Sequence, residues 1–346
     1  MINITQGLSG KYFSATVPDL VFGIGGASAA VAISLDGDGI YSERLFPVGG
    51  SISLRELGDL VRPYAKQRLV TDMKVSITEQ DADGNSLATA SASCTVVYCG
   101  ADIDMDATKW CDSHFLTLLM GTRTTALGRL ERLHYTGTAA ATVTATYADG
   151  STKAFAATTV GGNSKYTTID VSPSLFTGDA DLIGYVVKAG GRTQQFDIDF
   201  NAPDCSPILA FDNSFGCEEM LYCTGRAVLS GDFKYDTAFI EGLNTNYKAT
   251  ETASIKADTG PLSFAEADWC RELFRSQNVR VVNFYGGQAQ PGKEVVVSNP
   301  KVEYGNGNDD IPRITFTIQY AQRNHNVIQT AREGRIFDNT FDYTFE

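Results

Sequence analysis

The densest set of reactive side-chain types in the chain lies in FDNSFGCEEMLYCTG, residues 211–225, which holds Asp212, Cys217, the pair Glu218-Glu219 and Cys223. A cysteine nucleophile needs a base held within hydrogen-bond reach of its sulfur. The three histidines, His114, His134 and His325, are remote in sequence and belong to no recognisable partner motif. Taken as a strand, EEMLYCTG alternates, with Met220, Tyr222 and Thr224 on one face and Glu219, Leu221 and Cys223 on the other, so at least one face is mostly apolar. Asp212 and Asn213 suit a turn or Asx-type cap before that strand, and Gly216 suits a tight corner. The expected role is structural, and no catalytic residue is assigned.

Other chemistries fail on spacing. The seven cysteines, at 94, 99, 111, 205, 217, 223 and 270, include no CxxC, and the histidines stand alone, so a zinc site is not expected. Cys94 and Cys99 in SCTVVYCG would point to opposite faces of one strand and not pair with each other. Free, mostly buried thiols are the expectation, in keeping with folding in a reducing cytoplasm. Asp81, Asp83 and Asn85 alternate around Gly84 like the first half of a calcium loop, but the later carboxylate and the flanking helices are missing. A hairpin turn is expected there, and again at Asp36-Gly37-Asp38-Gly39. FGIGGAS, residues 22–28, precedes strand-like rather than helical sequence and makes no phosphate cradle, and GxSxG is absent. Acidic pairs such as Asp309-Asp310 are expected to be solvated. The chain is therefore expected to be no enzyme and to carry no metal or cofactor.

The elements around these residues are mainly strands. With 346 residues, two or three domains are expected at about 100 to 200 residues each. A hydrophobic content of 43% excludes disorder, and 41 acidic against 28 basic residues leave a net charge of -13, which disfavours nonspecific nucleic-acid binding. Gly (33), Phe (19) and Tyr (15) suit hairpins with aromatic cross-strand pairs. The start, MINITQGLSGKYF, lacks the basic and apolar regions of an export signal. DLVFGIGGASAAVAIS is broken by glycines and falls short of the ~20 apolar residues that span a bilayer, so it is expected to form two strands around a turn, with no membrane partner.

Three segments follow. Residues 1–105 form a β-module with one helix, SLRELGDLVRPYAKQ, where Ser53 and Glu56 have capping-box spacing, Leu54, Leu57, Val61 and Tyr64 make an apolar stripe, and Pro63 is expected to end or kink the helix near Arg62. Residues 106–205 form a small β-sandwich, including an alternating hairpin about Ala148-Asp149-Gly150. Residues 206–346 form a second β-module with one helix, in which Ser263 and Glu266 repeat the capping spacing. The fold class expected is mainly β: multi-domain β-sandwich modules with two short capped helices. Strand edges are expected at Phe284-Tyr285-Gly286-Gly287 and in the tail FDNTFDYTFE, where Phe337, Phe341, Tyr343 and Phe345 alternate with polar residues. That tail is either a strand donated to a neighbour or a last strand folded back into its own domain.

Residues 19–67, the FDNSFGCEE corner and TGPLSFAEADWCRELFRSQNVRV together resemble virion proteins, of tail or baseplate type, from phages and prophages of Bacteroides-like gut bacteria. In those proteins a β-module with a short helix precedes an aromatic-Asn-x-x-Gly corner, and a later capped helix leads into an S-x-x-V strand. Phe211, Asn213, Phe215 and Gly216, then Trp269, Leu273, Ser276 and Val279, match. The resemblance covers the first and third segments and says little of the middle one. It implies a non-enzymatic virion component, made in the bacterial cytoplasm, that forms a homo-oligomer and contacts other virion proteins. Candidate interface residues are Phe341, Tyr343, Phe345, Phe284 and Tyr285. The alternative is a carbohydrate-binding sandwich at a cell surface or tail tip, reaching a host-surface glycan through Trp110, Tyr135, Tyr147 and Tyr166.

Overall fold

The computed structural model describes residues 1–201, 205–285, 288–302, 305 and 311–321. The chain is mainly β and is built of sandwich modules. In the first module, β1 (Asn3–Gln6), β2 (Lys11–Phe13), β3 (Leu20–Gly23), β4 (Ser28–Leu35), β5 (Asp38–Leu45) and β6 (Ser51–Leu54) precede α1 (Leu57–Arg68), then β7 (Val70–Gln80) and β8 (Ser86–Val97). One sheet has the order β1-β3-β6 and the other β2-β8-β7-β4-β5. The run DLVFGIGGASAAVAIS does hold two strands, but β3 and β4 lie in different sheets, and the glycines carry the chain across. Gly26 is required there, because a Cβ would stand 2.5 Å from the Gln80 carbonyl. Phe22, Val31, Ile33, Met73, Val75 and Val96 fill the space between the sheets together with Leu57 and Val61 of α1.

The expected start of α1 and an end at Arg62 are both corrected. Ser53 is held in β6, opposite Val21, so it cannot cap. The cap position is Glu56, with positive φ and no side-chain cap bond, and its N–H donates to Asp19. Pro63 sits inside the helix, which runs on to Arg68. Pro63 and Asp59, whose carbonyl loses its intrahelical donor, are both exposed, so water replaces the missing bond. Leu57, Gly58, Val61 and Ala65 form the buried face, and Tyr64 is exposed.

A third helix, α2 (Ala107–Ser113), opens the middle module, capped by Asp106, whose carboxylate accepts the Lys109 N–H at 3.0 Å. Then come β9 (Arg123–Thr125), β10 (Arg132–Thr136), β11 (Ala141–Tyr147), β12 (Thr152–Ala156), β13 (Thr158–Gly162), β14 (Tyr166–Asp170), β15 (Leu182–Ala189) and β16 (Arg192–Ile198). The sheets β10-β14-β13 and β12-β11-β15-β16-β9 face each other over Tyr135, Val143, Ile169, Val187 and Phe196. In β11 Val143, Ala145 and Tyr147 point inward and Thr142 and Thr144 outward, as the alternation predicts.

The last module holds β17 (Ile208–Asp212), β18 (Glu218–Tyr222), β19 (Val228–Ile240), β20 (Leu243–Asp258), α3 (Phe264–Arg275), β21 (Val279–Tyr285), β22 (Gln288–Val302) and β23 (Ile314–Tyr320). They form one sheet in the order β18-β17-β21-β22-β23-β20-β19. α3 covers its apolar face with Ala267, Trp269, Cys270 and Leu273. Here the capping box does form: Ser263 Oγ accepts the Glu266 N–H, and the Glu266 carboxylate accepts the Ser263 N–H at 3.0 Å. No helix among the described residues is long and apolar enough to cross a membrane.

Candidate interaction surface

The corner at residues 211–217 joins modules. Asn213 Oδ1 accepts the N–H groups of Phe215 (2.9 Å) and Cys217 (3.0 Å), and its Nδ2 donates to the Leu116 carbonyl (2.8 Å). That clamp, with Gly216 at φ 74°, drives Phe215 into a cluster with Phe13, Val70 and Val97 of the first module and Trp110 of α2. Burial pushes the thiols of Cys217 and Cys223 well above their ordinary range. None of the seven cysteines forms a disulfide, and Cys94 and Cys99 are buried in separate clusters. His114 stacks on Trp110, and His134 contacts Thr168 Oγ1 (2.9 Å) and the Glu218 carbonyl (3.1 Å). His325 lies outside the described residues. Among the described residues no three His, Cys, Asp or Glu side chains gather where they could hold a metal.

The two acidic turns are occupied by the protein itself. Asp81 accepts the N–H groups of Asp83 and Asn85, which closes the β7–β8 turn. Asp36 accepts from Thr71 and from the Asp72 N–H and pairs with Lys165 of the middle module. Burial opposes its charge, but the hydrogen bonds from Lys165 and Asp72 hold its carboxyl below the ordinary value. A hollow of about 890 Å³ lies beside α1, α3 and the corner, edged by Arg62, Lys66, Arg275, Asp212 and Glu272. Its charges are largely committed: Arg275 to Glu272 at 3.1 Å, Lys66 to Gln277 at 3.0 Å, and Asp212 to Asn278.

The seven-stranded sheet treats its two edges differently. On β18 the outward carbonyls of Met220 and Glu218 accept from Arg123 Nη2 (2.7 Å) and His134, while Tyr222 Oη accepts the Leu130 N–H (2.7 Å). Arg123 also pairs with Glu131 at 3.0 Å and lies over the Trp269 ring. Burial works against its charge, but Glu131 and Glu219 outweigh it and hold the guanidinium protonated. The middle module thus caps this edge with side chains.

The other edge is a bare ribbon. β19 pairs with β20 along its whole length, but β20 meets β23 only from Ser254 to Asp258, so among the described residues the outer part projects as two strands. The pairing sets Leu229, Phe233, Tyr235, Ala249 and Ala253 on one face, with Glu251 opposite Phe233 among them, and Asp232, Lys234, Asp236, Lys248 and Thr250 on the other. Ile255 carries the apolar face down into the module core. Phe233 is 55% exposed, Tyr235 56%, Phe239 73% and Leu243 71%, in contrast with the buried aromatics of the three cores.

GRAVLSGDF and YKATETASIKAD read as strands from sequence, which covers the first part of β19 and the last part of β20 and misses the residues between. The available signals were the period-two Phe233, Tyr235 and Phe239 and a two-residue turn at Glu241-Gly242, both at positive φ. Of the candidates named from sequence, Phe341, Tyr343 and Phe345 lie outside the described residues. Phe284 and Tyr285 close β21 and pair with Ala289 and Gln288 on one side, while β17, on the other side of the strand, pairs only with Val279 to Val281. Phe284 is half-buried against Met220 and Tyr222. The aromatics proposed for sugar binding are also committed to packing: Trp110, Tyr135 and Tyr147 are buried and Tyr166 is half-buried.

No family model and no curated protein matches the chain. Among solved structures, the titin domains I67–I69 in an E-to-A mutated variant align over 93% of this chain and 89% of that one, at 9% identity and a TM-score of 0.19, a likeness too low to bear on function.

Proposed function

We propose that the chain is a non-enzymatic structural protein that works by assembly, as a tail or baseplate-type component of a virion built in a bacterial cytoplasm. The observation that carries this reading is the β19–β20 ribbon, whose mainly apolar face continues out of the module core and is left exposed among the described residues. A lone two-stranded ribbon is marginal in water, and soluble monomers rarely leave more than a few hundred Å² of contiguous apolar surface exposed. A copy by itself is therefore unfinished, and association completes it. The inert thiols and the internally satisfied acidic turns support the non-enzymatic half of the reading, and the resemblance of the first and third segments to virion proteins supports the setting. Sedimentation velocity and light scattering from about 1 to about 100 μM, with negative-stain microscopy, test it. The expected outcome is concentration-dependent growth into particles of defined size. A monomer throughout, above all one retained on a glycan array, would sink it.

A further inference from the structure

Resting on the assembly reading, we propose that β19 pairs edge to edge with β19 of a second copy, antiparallel about a two-fold axis through Phe233, joining two seven-stranded sheets into one. Three observations lead there. The first is the contrast between edges. An open strand edge is a template for pairing, and proteins normally blunt it. Here β18 is blunted by Arg123, His134 and Tyr222, whereas β19, from Val228 to Ile240, has no strand on its outer side among the described residues and contains no proline.

The second is charge. Within the ribbon Asp232 faces Thr252 and Lys234 faces Thr250, and neither charge has an ionic partner among the described residues. A two-fold through Phe233 sets Asp232 of each copy opposite Lys234 of the other, twice, on the polar face. An axis through Lys234 would instead oppose lysine to lysine and Asp232 to Asp236. An axis through Tyr235 would call on Asp236, which already lies 4.0 Å from Lys248. A shift of one residue would put apolar against polar faces. The same operation on β20 about Ala249 sets Lys248 opposite Thr250 and forms no ion pair.

The third is shape. In the Phe233 register Phe233, whose ring lies beside Gly231 of its own strand, meets its own copy on the axis, and Gly231 of one copy lies opposite Tyr235 of the other. Glycine in a strand otherwise weakens it, and a Cβ at Gly231 would stand 3.4 Å from both the Phe233 ring and Glu251 Oε1, so the small residue gives the Phe233 ring its place on this face.

Charge exchange tests the register directly. Asp232→Lys and Lys234→Asp, each alone, bring like charges together twice and are expected to raise the dissociation constant at least about tenfold. The double variant restores opposite charges at the same two places and is expected to return to within about threefold of the native value. Phe233→Cys, on the axis, is expected to oxidise to a covalent dimer, since cross-strand Cα spacings of about 4.5–5.5 Å lie in the disulfide range, and Leu229→Cys is not. If the single variants assemble like the native chain and Phe233→Cys does not cross-link, the pairing is wrong while the assembly reading stands. If the singles weaken assembly and the double does not recover, β19 meets another partner or register, and the pairing is again overturned. A native chain that never associates overturns both. The substituted positions are exposed, so circular dichroism should report intact folding; where it does not, the cross-link decides.

Discussion

Asn213 satisfies two N–H groups and one carbonyl with a single amide, and this is why the most reactive-looking stretch of the chain is a corner. Its local features, the Asx turn and the Gly216 bend, depend on near neighbours and could be inferred from residue types. The burial of both faces of EEMLYCTG could not, because the second face is covered by Leu130 and by other strands far away in sequence. His134 gives this scale its test. Burial pulls its pKa down from 6.5 to about 4, so the unfolded chain takes up a proton that the folded chain refuses. Its neutral form costs nothing above the unfolded value, and stability is lost as pH falls from about 6.5 towards 4, by about 3 kcal/mol in all. Burial raises the carboxyls of Glu131 and Glu219, and these act in the opposite sense. Urea unfolding of the native chain and His134→Gln at about pH 7.5 and 4.5 separates the contributions: the variant should lose about 2–3 kcal/mol less on acidification, and parallel losses would contradict the assignment.

Two elements with the same cap spacing in sequence behave differently. Ser263→Ala should cost about 0.5–2 kcal/mol, because its hydroxyl accepts a first-turn amide. Ser53→Ala should change stability by less than about 0.5 kcal/mol, because Ser53 is a strand residue facing solvent. Denaturant midpoints measure both, and equal losses would contradict the structure. Nothing local distinguishes the two sites; β3 does, by pairing with Ser53 across the intervening β4–β5 hairpin, and such competition is invisible to spacing. The turns of β4–β5, β7–β8 and β11–β12 were open to inference since Gly37, Gly84 and Gly150 adopt positive φ and announce it by type. The turn of the long ribbon begins with Glu241, a residue that seldom takes this conformation, and its strands went unnoticed between two recognised ends.

At the scale of the whole molecule, Phe215 is a shared plug: it belongs to the third segment but is buried with side chains of the first module and of α2. Phe215→Ala should lower stability by about 3–5 kcal/mol. In a calorimeter a joint transition of the first and third modules should separate into two, and an unchanged melting profile would show that the plug does not couple them. Lys165 adds a polar tie, pairing with Asp36 and, at 2.7 Å, with Asp72. From this clamped body the ribbon projects by the part of β20 that lies beyond β23, Leu243 to Ala253, roughly 30–35 Å of extended chain. Such an arm is a ruler: with the pairing proposed about Phe233, the distance between the two bodies is set by the residues between Phe233 and the base of β19, ~6–7 Å for every two, independently of the cores behind them.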